Sequence, residues 1–280
     1  MDAVTRPPRA IARCGLALAV AAVVTSAAPR PARADEVVRR PVLDVSVVLG
    51  GGLVFILGEA VFKDQISPDV CRWCGSNPLD RGIRGGLRWH RPERAATISD
   101  WTGFLVTPIL TFGSVGAAAL IEDAGDQLLT DGLIILESAL LTSNLTNLVK
   151  GIAGRQRPFA HFAPASDFTR TRSPQENNLS FFSGHSSFTM SLAVSAGTVA
   201  SLRGYRLAPA IWTAGVGLSL TTGYLRIAAD RHWGTDVVTG WLVGAAVGFA
   251  VPYYLHRRSS STEPRTSPSA PRTVDLAFTW

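Results

Sequence analysis

The chain has 280 residues, of which 46% are hydrophobic and only 17% charged, and its mean hydropathy is +0.20. That is too apolar for an ordinary soluble enzyme and points to a membrane protein. The formal charge of +6 is scattered along the chain without a continuous basic stripe, so nothing supports nucleic-acid binding.

All but Lys63 and Lys150 of the 27 basic residues are Arg, and this bias, with many Ala and Gly, suggests a GC-rich bacterial genome. Residues 1–34 read as a secretory signal. Arg6, Arg9 and Arg13 form the positive flank, "LALAVAAVV" is a short apolar core, and Ala32-Arg33-Ala34 is a small-residue cleavage site. An uncleaved anchor is the alternative.

Residues 35–97 hold a possible first membrane helix at 43–62, interrupted by Gly50-Gly51-Gly52 and Glu59, followed by a polar link over 63–100. In that link Cys71 and Cys74 form "CRWC". A structural zinc site needs a second pair of ligands that no nearby spacing supplies, so free thiols or a local disulfide are expected.

Residues 98–256 form the expected core, with apolar runs at 102–121, 128–149, 187–202, 207–227 and 237–255. A membrane helix takes roughly 20 apolar residues. The short links "EDAGD" and "RGYR" join neighbours as antiparallel helices. The fold class expected is all-α, a multi-pass transmembrane bundle of five to six helices. Residues 257–280 are rich in Ser, Pro and Thr and read as a disordered tail, closed by "VDLAFTW", at most a weak docking strand.

Three polar clusters interrupt this apolar series, where ionisable groups are costly and function is the default reading. In "KGIAGRQRP", Lys150 and Arg157 stand seven positions apart, so both project from one side if the helix continues. Gly151 and Gly154 make a loosened helix end an equal alternative. In "FFSGHSSF", Ser183 is placed to cap a helix, and Gly184 lets an anion approach the free amides. His185 could donate a proton in the same cavity; a capped helix with an interfacial histidine is the plainer alternative. In "YLRIAADRHWGTD", Arg226 precedes His232, and Asp236 follows it by four residues. On a helix those two share a face, so the carboxylate can accept from one ring nitrogen and leave the other bare. A surface pair beside a snorkelling arginine is the alternative.

The order and spacing, K-x6-RP, then SGH, then R-x5-H-x3-D, resemble the signature of the type 2 phosphatidic acid phosphatase family, across about residues 128–255. Two positions depart from the common pattern: Phe182 stands where many members have proline, and Leu225 where serine often stands. The resemblance implies a membrane-bound hydrolase of lipid phosphate or pyrophosphate monoesters. In that reading His232 attacks phosphorus to give a phosphohistidine, Asp236 fixes its tautomer, and His185 protonates the leaving oxygen. Lys150, Arg157, Ser183, Gly184 and Arg226 enclose the phosphoryl oxygens. With cations in place of a metal, and no carboxylate cluster for magnesium in the sequence, no metal and no cofactor are expected.

A phosphotransferase to another lipid, a haloperoxidase-like enzyme and a non-catalytic membrane protein are the rival readings. The resemblance implies a bacterial inner membrane location with the site on the extracytoplasmic side. A cleaved signal followed by a spanning 43–62 segment would invert that orientation, so these expectations compete.

Overall fold

The computed structural model describes residues 36–163 and 174–258. The expected signal segment 1–34 and the tail beyond 258 lie outside them. The first apolar run is helical throughout as α1 (Pro41–Ala60). Its glycines do not break it. A π-helical turn at Ser46–Gly51 absorbs them, and Gly51 carries its backbone against α5 (Gly125–Ala153), where Asn144 Nδ2 donates to the Gly51 carbonyl at 2.9 Å.

The polar link is largely helical as well. It holds α2 (Lys63–Ile66), α3 (Pro78–Leu87) and the first part of α4 (Pro92–Ile121), which begins ten residues before the apolar run expected at 102. Proline at the first helical position explains both later starts, and at α3 Asn77 caps the helix by accepting from the Asp80 amide at 2.8 Å. The turn leading to α3 is closed by a Cys71–Cys74 disulfide. Of the two outcomes expected for these thiols, the bridge is the one present.

After α5 come α6 (Pro158–His161), α7 (Gly184–Arg203), α8 (Ala208–Ala228) and α9 (Gly234–His256). α5 and α7 each stop at a glycine in the left-handed region, Gly154 and Gly204, as helix ends favour. A two-residue antiparallel ladder joins Glu36–Val37 (β1) to Arg257–Arg258 (β2), so the start of α1 and the end of α9 share one end of the bundle. Below, that is the distal end; the ends of α1, α5 and α8 and the starts of α4, α7 and α9 form the other.

Among the described residues four helices, α1, α4, α5 and α9, are long and apolar enough to cross a membrane. The expected spans at 187–202 and 207–227 appear as α7 and α8, but they differ in kind. α7 is enclosed by α4, α5, α8 and α9, and most of its side chains are buried. It therefore meets protein rather than lipid, and it is written in Ser, Thr, Ala and Gly. Large apolar side chains such as Leu53, Phe104, Leu129 and Leu242 instead cover the outside of the bundle.

Small residues decide how closely α7 and α9 run. Gly240, Gly244 and Gly248 of α9 face the backbone at Ser183, Ser187 and Ser191, each pair one step further along both helices, so the two are parallel. A methyl added at Gly240 or Gly248 would stand 2.7 or 2.6 Å from a serine carbonyl oxygen, and one at Gly244 would collide with the Ser187 carbonyl. Hydroxyls complete the packing across the other faces: Thr142 donates to Ser191 and Thr146 meets Ser187, both at 2.9 Å, while Thr189 meets Ser219 of α8 at 2.9 Å.

Gly244→Ala is expected to cost about 1–3 kcal/mol by overpacking and to lower the thermal midpoint of the purified protein in detergent. Gly217→Ala, where nothing lies within 4 Å of the added methyl, serves as control and should not lower it.

Candidate active site

Because α5 and α8 end where α7 and α9 begin, all three sequence clusters come to the same end of the bundle. α5 stops at Ala153, so Lys150 and Arg157 are not on one continuous helix. Gly154 turns the chain, and Arg157 is held from the loop by its amide, which donates to the Asn177 carbonyl at 2.7 Å. Lys150, in the last turn of α5, reaches the start of α7, where its Nζ lies 3.1 Å from the point a Gly184 Cβ would occupy. Glycine is needed there for that approach.

Ser183 caps α7. Its hydroxyl accepts from the Ser186 amide at 3.4 Å and from the Ser186 hydroxyl at 2.9 Å, while its own amide donates to the Asp236 carbonyl at 3.0 Å. The side chain is thus occupied by capping. What the helix start offers an anion is its first amides, those of Gly184 and His185, which helix geometry leaves without intrahelical acceptors.

His232 precedes α9 and is buried. Its Nδ1 lies 2.8 Å from the Ser180 carbonyl oxygen. A carbonyl can only accept, so Nδ1 carries the proton and Nε2 keeps its lone pair. Asp236, expected to hold this ring, stands 3.8 Å from Nδ1. It acts one step further back. One of its oxygens accepts from the Ser180 hydroxyl at 2.6 Å and from the Trp233 amide at 2.9 Å, and the other pairs with Arg155. The carboxylate therefore fixes the segment whose carbonyl fixes the imidazole.

Arg155 is fully buried, with its guanidinium 4.0 Å over the Trp73 ring. It also binds Asp80 Oδ2 at 2.6 Å and Thr235 Oγ1 at 2.8 Å. Asp80, from α3, accepts in addition from the Thr235 amide at 2.9 Å, which places a carboxylate at the positive end of α9.

The third cluster contributes Arg226 from the last turn of α8. Its Nη1 donates to Asp100 Oδ1 and Ser99 Oγ, both at 3.0 Å. The same Asp100 oxygen lies 2.8 Å from Nε2 of His185. Asp100 thus joins the histidine of one motif to the arginine of another. The end of α8 is clamped separately: Asp230 accepts Arg84 through both oxygens at 2.6 and 2.7 Å, and Arg88 at 3.0 Å.

The electrostatics follow from burial. Burial first, then the charges of Arg157, Arg226 and Lys150, pushes the His232 pKa well below the ordinary value, so the ring is neutral and its Nε2 basic lone pair is free. Arg157 is itself pulled down to about 10, mainly by burial. The Nε atoms of Arg157 and Arg226 are buried without a hydrogen-bond partner. A cavity opens beside Lys150 and Arg157, lined also by Glu59, Lys63 and Asn147. In it Lys63 bridges Glu59 and Glu176, each at 3.0 Å; although burial opposes it, these bonds raise the Lys63 pKa.

Sequence reasoning did not find Asp80, Asp100, Arg155 or Ser180. Arg155 lies inside the "KGIAGRQRP" stretch, and Asp100 falls on a helical face with Gly103, where an added Cβ would stand 2.9 Å from the His185 ring. No sequence signal points to Asp80 or Ser180.

Residues 131–260 match the sequence model of the PAP2 superfamily. The chain is 26% identical over 229 residues to phospholipid phosphatase 2 of Bos taurus, covering 69% of this chain and 79% of the relative. It is 29% identical over 119 residues to an undecaprenyl-diphosphatase of Sulfolobus acidocaldarius, covering 42% of this chain and 52% of the relative. A solved transmembrane PAP2-type phosphatidylglycerolphosphate phosphatase from Bacillus subtilis superposes with a TM-score of 0.47 at 18% identity, covering 74% of this chain and 93% of that one. All three motifs lie inside the residues that match the PAP2 superfamily, and an apolar-surfaced bundle carries them, so the chain is a multi-pass membrane protein whose residues 131–260 are similar to that superfamily.

Proposed function

We propose that this protein is a membrane-bound phosphatase that hydrolyses a lipid phosphate or pyrophosphate monoester through a phosphohistidine at His232. The observation that carries the reading is the neutral His232 ring. Its Nδ1 is committed to a backbone carbonyl, and its Nε2 lies under the influence of three cations, two of them buried with an unpartnered guanidinium nitrogen. The similar proteins carry the names phospholipid phosphatase 2 and undecaprenyl-diphosphatase, which supports a lipid phosphate as substrate.

Nε2 attacks phosphorus in line as the bond to the leaving oxygen breaks. Lys150, Arg157, Arg226 and the amides at the start of α7 stabilise the charge that spreads over the equatorial oxygens. His185, held against Asp100, takes up a proton with the arriving phosphate monoanion and gives it to the leaving alkoxide or phosphate. It then takes a proton from the water that cleaves the phosphorus–nitrogen bond, restoring His232 and releasing phosphate. Asp236 and Arg155 hold Ser180 and His232 in place and touch no reacting atom. None of these steps calls for a metal at the site. The cavity with Glu59, Lys63 and Glu176 borders the phosphate site and is the natural place for head-group discrimination.

The proposed membrane is the bacterial inner membrane, with the site on the extracytoplasmic side. The Cys71–Cys74 bridge supports this, because it lies at the site end and such bonds persist in oxidising compartments. Once α1 spans, that orientation puts residue 36 on the cytoplasmic face and excludes a cleaved signal ending at Ala34.

The decisive assay is phosphate release from a panel of lipid phosphates, with chelator added together with substrate. His232→Ala should lose at least roughly a thousandfold in kcat, and brief exposure of the native protein to labelled substrate should trap an acid-labile, alkali-stable phosphoenzyme. A strict need for added metal, or an undiminished variant, rejects the mechanism. Transfer of label to a second lipid in place of free phosphate would make the protein a phosphotransferase.

Asp236→Asn should lower kcat by about a hundredfold, as a misplacement of about 1 Å at the reacting group does, with KM nearly unchanged because the anion-binding groups stay in place. A KM rise with kcat preserved would move Asp236 into phosphate binding.

Thiol alkylation of intact cells before and after an impermeant reductant tests the orientation. Cys71 and Cys74 should label from outside only after reduction, whereas a reporter at position 36 should read as cytoplasmic. The reverse pattern restores the cleaved signal and an inward site.

A further inference from the structure

At the distal end, roughly 30 Å along α9 from the phosphate site, three ionisable side chains from three helices meet in the interior. Asp44 of α1, Glu137 of α5 and His256 of α9 are all buried, and one donor atom from each lies within 4.8 Å of the other two. His256 Nδ1 lies 3.0 Å from the Val38 carbonyl oxygen, which can only accept, so this nitrogen carries a proton and Nε2 faces the carboxylates. Nε2 is 3.0 Å from Glu137 Oε2. Two lone pairs cannot face one another at that distance, so a positive species must stand between them.

A proton alone does not complete the cluster. It would leave one imidazolium with two carboxylates, and Asp44 Oδ1 and Glu137 Oε1 are buried without any hydrogen-bond partner. Unpartnered carboxylate oxygens in the interior are costly. A divalent cation balances two carboxylates and a neutral imidazole, and it gives both oxygens a ligand. The Nδ1–H bond to a backbone carbonyl is also the outer contact that orients a metal-binding histidine.

We propose that Asp44, Glu137 and His256 bind one divalent transition metal ion, Zn2+ or Mn2+ by the hardness and type of these ligands, at a structural site separate from the catalytic one. The ion ties α1 to the rest of the bundle. Asp44 is the one buried residue of α1, whose other side chains are exposed or half-exposed. The β1–β2 ladder closes the site: the Val38 amide donates to the His256 carbonyl at 2.9 Å, and the Val38 carbonyl takes the imidazole proton.

The full chain, purified in detergent, should retain about one Zn2+ or Mn2+ ion by elemental analysis. Removal by chelator should lower its thermal midpoint, and reloading with either ion should restore it. Reloading with Co2+ should give the visible d–d bands of a nitrogen- and oxygen-ligated ion. Asp44→Asn and Glu137→Gln, close in shape to the native residues, should lose the ion and the thermal response. Initial phosphatase turnover, measured before any unfolding, should not require the ion, so failure here and failure of the catalytic reading are distinguishable. A native protein that holds none of the three ions and whose midpoint ignores both chelator and metal overturns the proposal, leaving a protonated His256–Glu137 pair. Equal binding by native protein and both variants overturns it as well. Should the variants not fold, the cobalt spectrum and metal content of the native chain decide alone.

Discussion

The candidate site rests on a buried charge cluster that lies behind the proposed phosphate-binding groups. Arg155 lies between Asp80 and Asp236 with all three side chains removed from solvent. One guanidinium therefore connects α3, the loop after α5 and the first turn of α9. Burying such charges is expensive, and removing one partner of a buried pair typically costs about 3–5 kcal/mol because the other is left uncompensated. That asymmetry suits a catalytic frame. Asp236 cannot turn away without stranding Arg155, so Ser180, whose hydroxyl it binds, keeps its carbonyl aimed at His232. The tautomer of the proposed nucleophile is set by an ion pair two links away from it.

The same frame depends on how closely α7 and α9 approach. Their starts carry the free amides of Gly184 and His185 and the ring of His232, and those starts are in register because glycines of one helix lie on serine backbones of the other. In lipid the hydrophobic effect does not press helices together; close packing and interhelical hydroxyl bonds do. α7 is accordingly the least lipid-like of the long core helices and the most enclosed. A bulkier residue along the glycine stripe would separate the helices and widen the gap between Ser183 and Asp236, which a single amide-to-carbonyl bond of 3.0 Å now spans.

Much of this was legible in the sequence, and what was not has physical causes. Apolar runs marked the long helices because lipid-facing surface needs apolar side chains, and motif spacing marked Lys150, Ser183, Gly184, His185, Arg226 and His232 because each sits at a helix end that the runs already located. The start of α4 was missed because residues 92–101 lie beyond the apolar run; their helical character comes from Pro92 at the first position and from packing of Ala95 and Ala96 against α8. The glycines of α1 read as breakers because an isolated helix would be weakened by them, whereas here a neighbour's Asn144 binds the carbonyl they expose. The direct His232–Asp236 bond was expected because helical spacing puts the two on one face. Spacing alone does not report a third group, and Ser180, far off in sequence, takes the position. Asp80 and Arg155 are charges paired by tertiary contact, a property no local pattern carries.

The cations at the site explain why its supports are so elaborate. Arg157 and Arg226 are buried and Lys150 is half-buried close to them, and mutual repulsion adds to the cost of removing them from water. Asp100 and Glu176 offset part of it: the former binds Arg226, and the latter, drawn down by Arg157 and Lys63 against the effect of burial, stays ionised at the cavity. Two guanidinium nitrogens remain without acceptors. In the proposed mechanism a phosphoryl group fills that deficit, and it does so best when its negative charge is spread over three equatorial oxygens. The energy the fold expends in holding like charges together is therefore recovered most fully in the transition state, which is the condition for raising kcat and not merely tightening binding.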